Sequence, residues 1–113
     1  MSLDLVRAAV RDLLDRLASQ DYDGVIRRCA RSRLSARDLA TCIGEYGRRV
    51  TGPPAGAFDR LDAVAVKAAP LPTWFVRAPL WTAEEGRSDL ELQLTATLRA
   101  GAVELELDDL RVP

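Results

Sequence analysis

Histidine is missing from this chain, cysteine occurs twice, and lysine occurs once, at Lys67. Without histidine, and with only Cys29 and Cys42 as thiols, the usual zinc sites cannot be assembled, so we expect no bound metal. The sequence also lacks a phosphate-binding glycine loop, a nucleophile elbow and a cysteine–histidine pair. An acid–base catalyst would have to be a perturbed carboxylate, Tyr22 or Tyr46. We therefore expect no cofactor and assign no catalytic residue.

Long apolar runs are absent as well. No stretch approaches the roughly 18 residues of a membrane helix, and we expect no signal peptide, because the first residues do not show a basic segment followed by an apolar one. A content of 48% hydrophobic and 29% charged residues is typical of a soluble protein. We expect one cytosolic α+β domain over residues 1–113, with a helical part at 1–50 and a sheet part at 55–113. In the cytosol Cys29 and Cys42 are expected as buried reduced thiols, although a disulfide stays open if the helices bring their Cα atoms within about 7 Å.

The net charge of −1 is unevenly distributed along the chain. Residues 1–50 carry ten arginines against seven acids, and residues 51–113 carry six basic groups against ten acids. This division predicts a weakly basic helical part and an acidic sheet part.

Three helices are predicted in the first half. Apolar residues recur at helical spacing over residues 3–19, and Asp21 or Asp23 can cap a short second helix. We interpret residues 31–33 as a connector. Ser35 and Asp38 form a short-armed capping box for a third helix, which should end near Gly47, before the sequence Thr-Gly-Pro-Pro at 51–54.

Beyond these prolines the apolar period changes from 3.6 to 2, which predicts four antiparallel strands packed on the helices, in the order αααββββ. The first strand covers residues 61–66, with Phe58 entering it. The second covers residues 74–78 and should end at Pro79, because proline is confined to strand edges and ends. The third and fourth strands alternate apolar and polar residues from Leu90 to the C-terminus.

The register of the last hairpin follows from its apolar residues. Pairing Leu98 with Val103, residue 96 with 105 and residue 94 with 107 places all apolar partners on one face, around a turn at residues 100–101. Leu105 is odd-numbered and Leu110 is even-numbered, so one extra residue near positions 108–109 is needed to return Leu110 to the core. This change of parity predicts a β-bulge, which would curve the sheet.

The segment Trp81–Leu90 is the main candidate site. It is longer than a simple hairpin turn and holds a tryptophan, three carboxylates, an arginine and a glycine. Its acids could act as paired carboxylates, and its arginine could hold an anion; alternatively, the segment is a structural loop with internal pairs. Candidate residues for binding a partner or ligand, including the neighbouring aromatic, are Trp74, Trp81, Glu84, Glu85, Arg87 and Asp89.

Two charged sets and one aromatic pair have alternative interpretations. A basic run could bind nucleic acid but is more typical of a solvated helix face; it comprises Arg27, Arg28, Arg31, Arg33 and Arg37. An outward acidic row could meet a basic partner or simply face water; it comprises Glu91, Glu104, Glu106 and Asp108. Strand alternation means that Trp74 and Phe75 cannot both face the core.

The sequence resembles a family of small bacterial domains of unknown function. The resemblance rests on Tyr22-Asp23, the helix ending Glu-Tyr-Gly at 45–47, the proline pair at 53–54 and the run Trp-Thr-Ala-Glu-Glu-Gly-Arg-Ser-Asp-Leu at 81–90. That family implies domain boundaries but no activity and no catalytic residues. The predicted order of elements is also similar in part to nuclear-transport-factor-2-like cones, in which a bent sheet wraps a helix; the early strand pair of that fold is lacking here.

These observations favour a non-catalytic domain that acts through protein–protein contact, such as an immunity-type or accessory protein, with a protein partner or a second copy of itself. The alternative is a small-molecule-binding protein, or a carboxylate-dependent isomerase or cyclase, with a cone-shaped cavity. Nucleic-acid binding is disfavoured by the acidic pI of 5.4, and no membrane association is expected.

Overall fold

The computed structural model of the chain describes residues 2–58 and 61–113. Within them lie three helices: α1 (Ser2–Ala18), α2 (Tyr22–Arg28) and α3 (Ala36–Tyr46). Six strands form one mixed sheet: β1 (Arg31–Ser32), β2 (Val50–Thr51), β3 (Asp62–Ala65), β4 (Thr73–Thr82), β5 (Gly86–Arg99) and β6 (Ala102–Arg111). The α+β class is confirmed. None of the helices in this described part is long and apolar enough to cross a bilayer.

The helix ends follow the local sequence signals. Asp21 caps α2 by accepting a hydrogen bond from the N–H of Gly24 at 3.0 Å. Ser35 and Asp38 form the reciprocal capping box of α3, with bonds of 2.9 and 3.0 Å. The helix ends at Gly47, whose φ of 76° lies in the left-handed region that glycine adopts without a Cβ clash. Because these signals act over three or four residues, the sequence alone located them.

The prediction of four antiparallel strands was wrong in number and in direction. The strand order is β1-β6-β5-β4-β2, and β3 also pairs with β4. The predicted connector at residues 31–33 contains β1, which runs parallel to β6. β2 follows α3 and pairs antiparallel with the end of β4. Both added strands have only two residues, which is too short for an alternating pattern to be detected.

The second predicted strand also continues beyond Pro79, to Thr82. β3 pairs with β4 as far as Arg77, and β2 begins to pair at Trp81. Between these two positions, β4 has no strand neighbour on that side among the described residues. Pro79 therefore occupies a local sheet edge, where a residue without an N–H is tolerated.

The hairpin of β5 and β6 has the predicted register. Leu98 pairs with Val103, residue 96 with 105 and residue 94 with 107. Ala100 and Gly101 at the turn both have positive φ, 51° and 79°, as a type I′ turn requires. The register then shifts between Gln93 and Leu94, where β6 contains one extra residue. The predicted bulge is confirmed.

The core lies between α1 and one face of the sheet, which we term the core face. Leucines of α1 pack there with alternate residues of the long strands, all of them buried: Leu13, Leu14, Leu17, Val76, Leu80, Leu92, Leu94, Leu105 and Leu107. Phe58 is also buried in this core, but it lies in a turn rather than in a strand. The predicted continuation from Phe58 into the first strand crosses residues 59 and 60, which lie outside the described residues. Cys29 and Cys42 are free and half-buried.

Candidate functional site

The segment Trp81–Leu90 is a tight hairpin rather than a long loop. β4 runs to Thr82, three turn residues follow, and β5 starts at Gly86, whose φ is 72°. Trp81 pairs with Arg87, so these two side chains lie side by side on the sheet surface opposite the core face. We term this surface the outer face. The hairpin therefore holds the side chains of Trp81 and Arg87 on two paired strands, and this pairing restricts their movement.

Glu85 lies at the centre of a hydrogen-bonded cluster that we term the Glu85 clamp, formed by Tyr46, Thr82, Glu85 and Ser88. The Tyr46 hydroxyl donates to Glu85, 2.7 Å from Oε2 and 2.9 Å from Oε1. Thr82 Oγ1 donates to Oε1 at 3.1 Å and accepts from the Glu85 N–H at 3.1 Å. Ser88 Oγ donates to the Tyr46 hydroxyl at 2.8 Å and accepts from the N–H of Leu90 at 3.0 Å. The clamp ties the hairpin to the end of α3.

The clamp favours the ionised form of its carboxylate. The hydrogen bond from Tyr46 lowers the pKa of Glu85 below its ordinary value, and partial desolvation opposes this. The hydroxyls of Thr82 and Ser88 and the positive charge of Arg48 lower the pKa further. Glu85 is thus held as an anion that only accepts hydrogen bonds, which suits a structural anchor better than a proton donor.

Glu84 also turns toward the helices. Its Oε1 accepts a hydrogen bond from the N–H of Arg49 at 2.9 Å, and the N–H of Ala83 donates to the Arg49 carbonyl at 2.9 Å. Together with the Glu85 clamp, these bonds fasten the turn to the segment between α3 and β2. The two adjacent carboxylates of the candidate site therefore have intramolecular partners.

Arg87 points the other way, into a cleft on the outer face that we term the outer cleft. The cleft has a volume of about 440 Å³ and lies beside the stretch of β4 that, on the side away from β5, has no strand neighbour among the described residues. Its lining residues are Gly56, Ala57, Phe58, Leu61, Asp62, Arg77, Pro79, Trp81, Arg87 and Glu91. The side chain of Arg87 is exposed, and its guanidinium forms no hydrogen bond or ion pair with another residue of the described ranges.

Two other charges of the outer cleft, Arg77 and Glu91, are paired with each other. Arg77 Nε donates to Glu91 Oε2 at 2.9 Å, and Gln93 donates to the same oxygen at 2.9 Å. This bond and the charge of Glu91 raise the pKa of Arg77. Because Glu91 is already bonded twice, Arg87 is the cleft arginine that remains available for an anionic group.

One wall of the outer cleft is attached to α1. Arg11 donates to the carbonyls of Pro53 and Pro54 at 3.2 and 3.1 Å, and its guanidinium lies 5.1 Å from the ring centroid of Phe58. These contacts position the turn that carries Phe58 against the sheet. The wall thus depends on a long-range contact that no local sequence signal indicates.

The structure brings together only part of the predicted site. Trp81 and Arg87 share the outer cleft, whereas Asp89 lines a second, adjoining concavity of about 410 Å³ that also contacts Arg87. Glu85 faces α3, and Glu84 faces the segment between α3 and β2. Trp74 pairs with the buried Ala96 and packs against the core on the opposite face of the sheet.

Sequence reasoning missed the role of Arg77 and of the Phe58 turn. Arg77 has the same parity as Trp81 in β4, and this could have placed it on the same face if the strand had been continued through Pro79. In the parts of the chain that the structure describes, no group of three His, Cys, Asp or Glu residues could hold a metal ion.

Comparison with known proteins places the chain in a family. No curated protein and no solved structure matches it. The model of the domain of unknown function DUF7668 matches residues 14–113, a range that includes the outer cleft and the Glu85 clamp. The chain therefore belongs to the DUF7668 family.

Proposed function

We propose that this protein is a non-catalytic cytosolic binding domain, of the immunity or accessory type, that engages an acidic side chain of a partner protein in the outer cleft. The observation that carries the proposal is Arg87: an exposed guanidinium without an ion pair among the described residues, beside Trp81 in a cleft. Arginine and tryptophan are enriched at the energetically important positions of protein interfaces. The outer cleft combines both.

Rigidity of the hairpin supports this function. The Glu85 clamp and the Glu84 bond to Arg49 fix the turn from the helical side, which leaves Trp81 and Arg87 presented on the outer side. A preorganised surface loses less conformational entropy when it binds. In this proposal the three acids of the segment have unequal roles: Glu84 and Glu85 support the hairpin, and Asp89 borders the recognition surface.

The test compares Arg87→Glu with Arg37→Glu, a matched charge reversal at an exposed arginine on α3. Each variant is immobilised and used to capture proteins from the source cell, and the bound proteins are identified by mass spectrometry. Wild type and Arg37→Glu should retain a shared partner that Arg87→Glu loses. All three proteins should melt at similar temperatures, because both arginines are exposed. Retention of the same partners by Arg87→Glu would refute the proposal.

A photo-crosslinking amino acid gives a positional control. Introduced at Trp81, on the outer face, it should form a covalent product with the captured partner. Introduced at Trp74, which packs against the core on the other face, it should not. Equal crosslinking from both positions would show that the partner does not use the outer cleft.

A second candidate function is binding of a small aromatic carboxylate. The volume of about 440 Å³ falls within the range of small-molecule sites, and a planar anion could stack near Trp81 while its carboxylate pairs with Arg87. The core face offers less room for a cone-type cavity, because the leucines of α1 pack there. Fluorescence titration with benzoate in a Trp74→Phe background, where Trp81 is the remaining tryptophan, tests this function. A saturable change that Arg87→Ala abolishes supports it, and an unchanged emission rejects it.

A further inference from the structure

The outer edge of β3 carries an apolar patch that is independent of Arg87. Val64, Val66 and Phe75 are 60%, 44% and 38% exposed. Val64 pairs with Phe75 across β3 and β4, and Val66 lies on the same face two residues further along. We term these three residues the β3 edge patch. Contiguous apolar side chains beside a strand edge are typical of an interaction surface.

The backbone of β3 has an open hydrogen-bonding edge. The N–H of Val66 donates to the Thr73 carbonyl at 2.9 Å, so the backbone groups of Val64 and Val66 face β4. Because these groups alternate in an antiparallel strand, those of Ala63 and Ala65 point away from β4. No strand of the described chain pairs with this side of β3.

The opposite end of the sheet is different. There the edge strand is β1, which has only two residues and carries the exposed Arg31. A short, charged edge is a common protection against strand pairing. The segment Ala63–Val66 contains no charge and no proline, so β3 is less protected against strand pairing than β1.

We infer that β3 pairs antiparallel with β3 of a second copy of this chain, which extends the two sheets into one across a twofold axis at Ala65. This register sets Val64 opposite Val66 of the other copy, twice by symmetry, and keeps both on the outer face. It also sets Ala65 against Ala65, with their free backbone groups facing each other. The alternative register centred on Val64 would oppose Val66 to Asp62.

Charge complementarity favours antiparallel pairing of two copies. Lys67 of one copy lies opposite Ala63 of the other and one residue from its Asp62, so opposite charges lie near each other at both ends of the strand pair, whereas a parallel pair would bring like charges together. The twofold operation uses both free β3 edges, which makes the assembly a closed dimer rather than a fibre. The outer-face patches of the two copies become continuous across the axis.

The first experiment measures the mass of the full chain by sedimentation velocity from micromolar to millimolar concentration. Wild type should pass from monomer to dimer. Val64→Asp should raise the dimer dissociation constant about tenfold or more, because a carboxylate then faces an apolar partner at two symmetric positions. Val112→Asp is the matched control: Val112 is 52% exposed and lies outside the patch, so this variant should dimerise as wild type does. Circular dichroism checks that each variant is folded.

The second experiment tests the register by oxidative crosslinking. Ala65→Cys should form a disulfide across the twofold axis, where Cα atoms of a directly opposed pair are about 5.5 Å apart. Val64→Cys should crosslink much less, since Val64 is offset by two residues from its copy. Wild type treated in the same way controls for Cys29 and Cys42. A wild type that stays monomeric, equal dimerisation of Val64→Asp, or stronger crosslinking through Val64→Cys would overturn the inference; none of these results depends on the outer cleft.

Discussion

Replacing Ser88 by alanine should destabilise the protein far more than a surface serine substitution would. Ser88 is 5% exposed, and its hydroxyl both donates to Tyr46 at 2.8 Å and accepts from the N–H of Leu90 at 3.0 Å. Alanine removes both bonds and leaves a buried backbone N–H without an acceptor. A typical net hydrogen bond is worth about 1 kcal/mol, and an unsatisfied buried donor costs about 1–3 kcal/mol. We therefore expect a loss of about 2–3 kcal/mol in the free energy of unfolding.

This loss should be visible in thermal denaturation. A chain of 113 residues has an unfolding entropy of about 0.24 kcal/mol/K, so a loss of about 2 kcal/mol lowers Tm by roughly 8 °C. Ser19→Ala is the matched control, because the Ser19 hydroxyl bonds the Arg16 carbonyl at an exposed position; its Tm should change by about 2 °C or less. A double-mutant cycle with Tyr46→Phe should give a coupling of at least about 0.5 kcal/mol. Equal Tm values for both serine variants, or additive effects in the cycle, would refute the clamp.

Three further predictions concern the helix, the core and the pH dependence. Gly47→Ala should cost about 1 kcal/mol in urea denaturation because its φ is 76°, whereas Gly44→Ala, whose added Cβ meets no atom within 4 Å inside α3, should stabilise by about 0.5–1 kcal/mol; the reverse order would contradict this backbone assignment. Leu92→Ala should cost about 2–5 kcal/mol, since Leu92 is fully buried, while the exposed Leu5→Ala should cost much less; similar losses would place Leu92 outside the core. Because the folded-state pKa of Glu85 is lowered, its contribution to stability is complete above the usual range of a glutamate and disappears as the pH falls through the folded pKa. The Tm difference between wild type and Glu85→Gln should therefore shrink on acidification, and a constant difference from neutral to acidic pH would count against an ionised anchor.

The helices and the last hairpin could be predicted because their signals are local. The cap residues Asp21 and Ser35 bond to N–H groups three positions away, and the left-handed conformation of Gly47 needs no distant contact. The parity change between Leu107 and Leu110 required one extra residue in β6, whatever the remaining sheet was. In each case the information lay within a few residues or within two adjacent strands.

The strands β1 and β2 and the continuation of β4 through Pro79 could not be predicted in this way. A two-residue strand has no period, and the tolerance of Pro79 depends on the gap between β3 and β2 rather than on its own neighbours. The geometry of the candidate site could not be predicted for the same reason, because it also depends on strand pairing. The ten residues of the segment were interpreted as one loop, because the pairing of Trp81 with Arg87 across two strands cannot be inferred from the sequence.

The sequence by itself thus determined the α+β class, the helix caps and the bulge of β6, since short-range hydrogen bonding and the period of apolar residues fix these features. It also indicated Trp81–Leu90 as the candidate segment. Only the tertiary structure decided the direction in which each side chain of that segment points. Ser88 faces Tyr46, 42 residues away, whereas Arg87, its immediate neighbour in β5, opens onto a cleft whose other wall is held by Arg11. Neighbours in a strand point to opposite faces, so their partners come from distant parts of the chain, and folding alone brings those partners together.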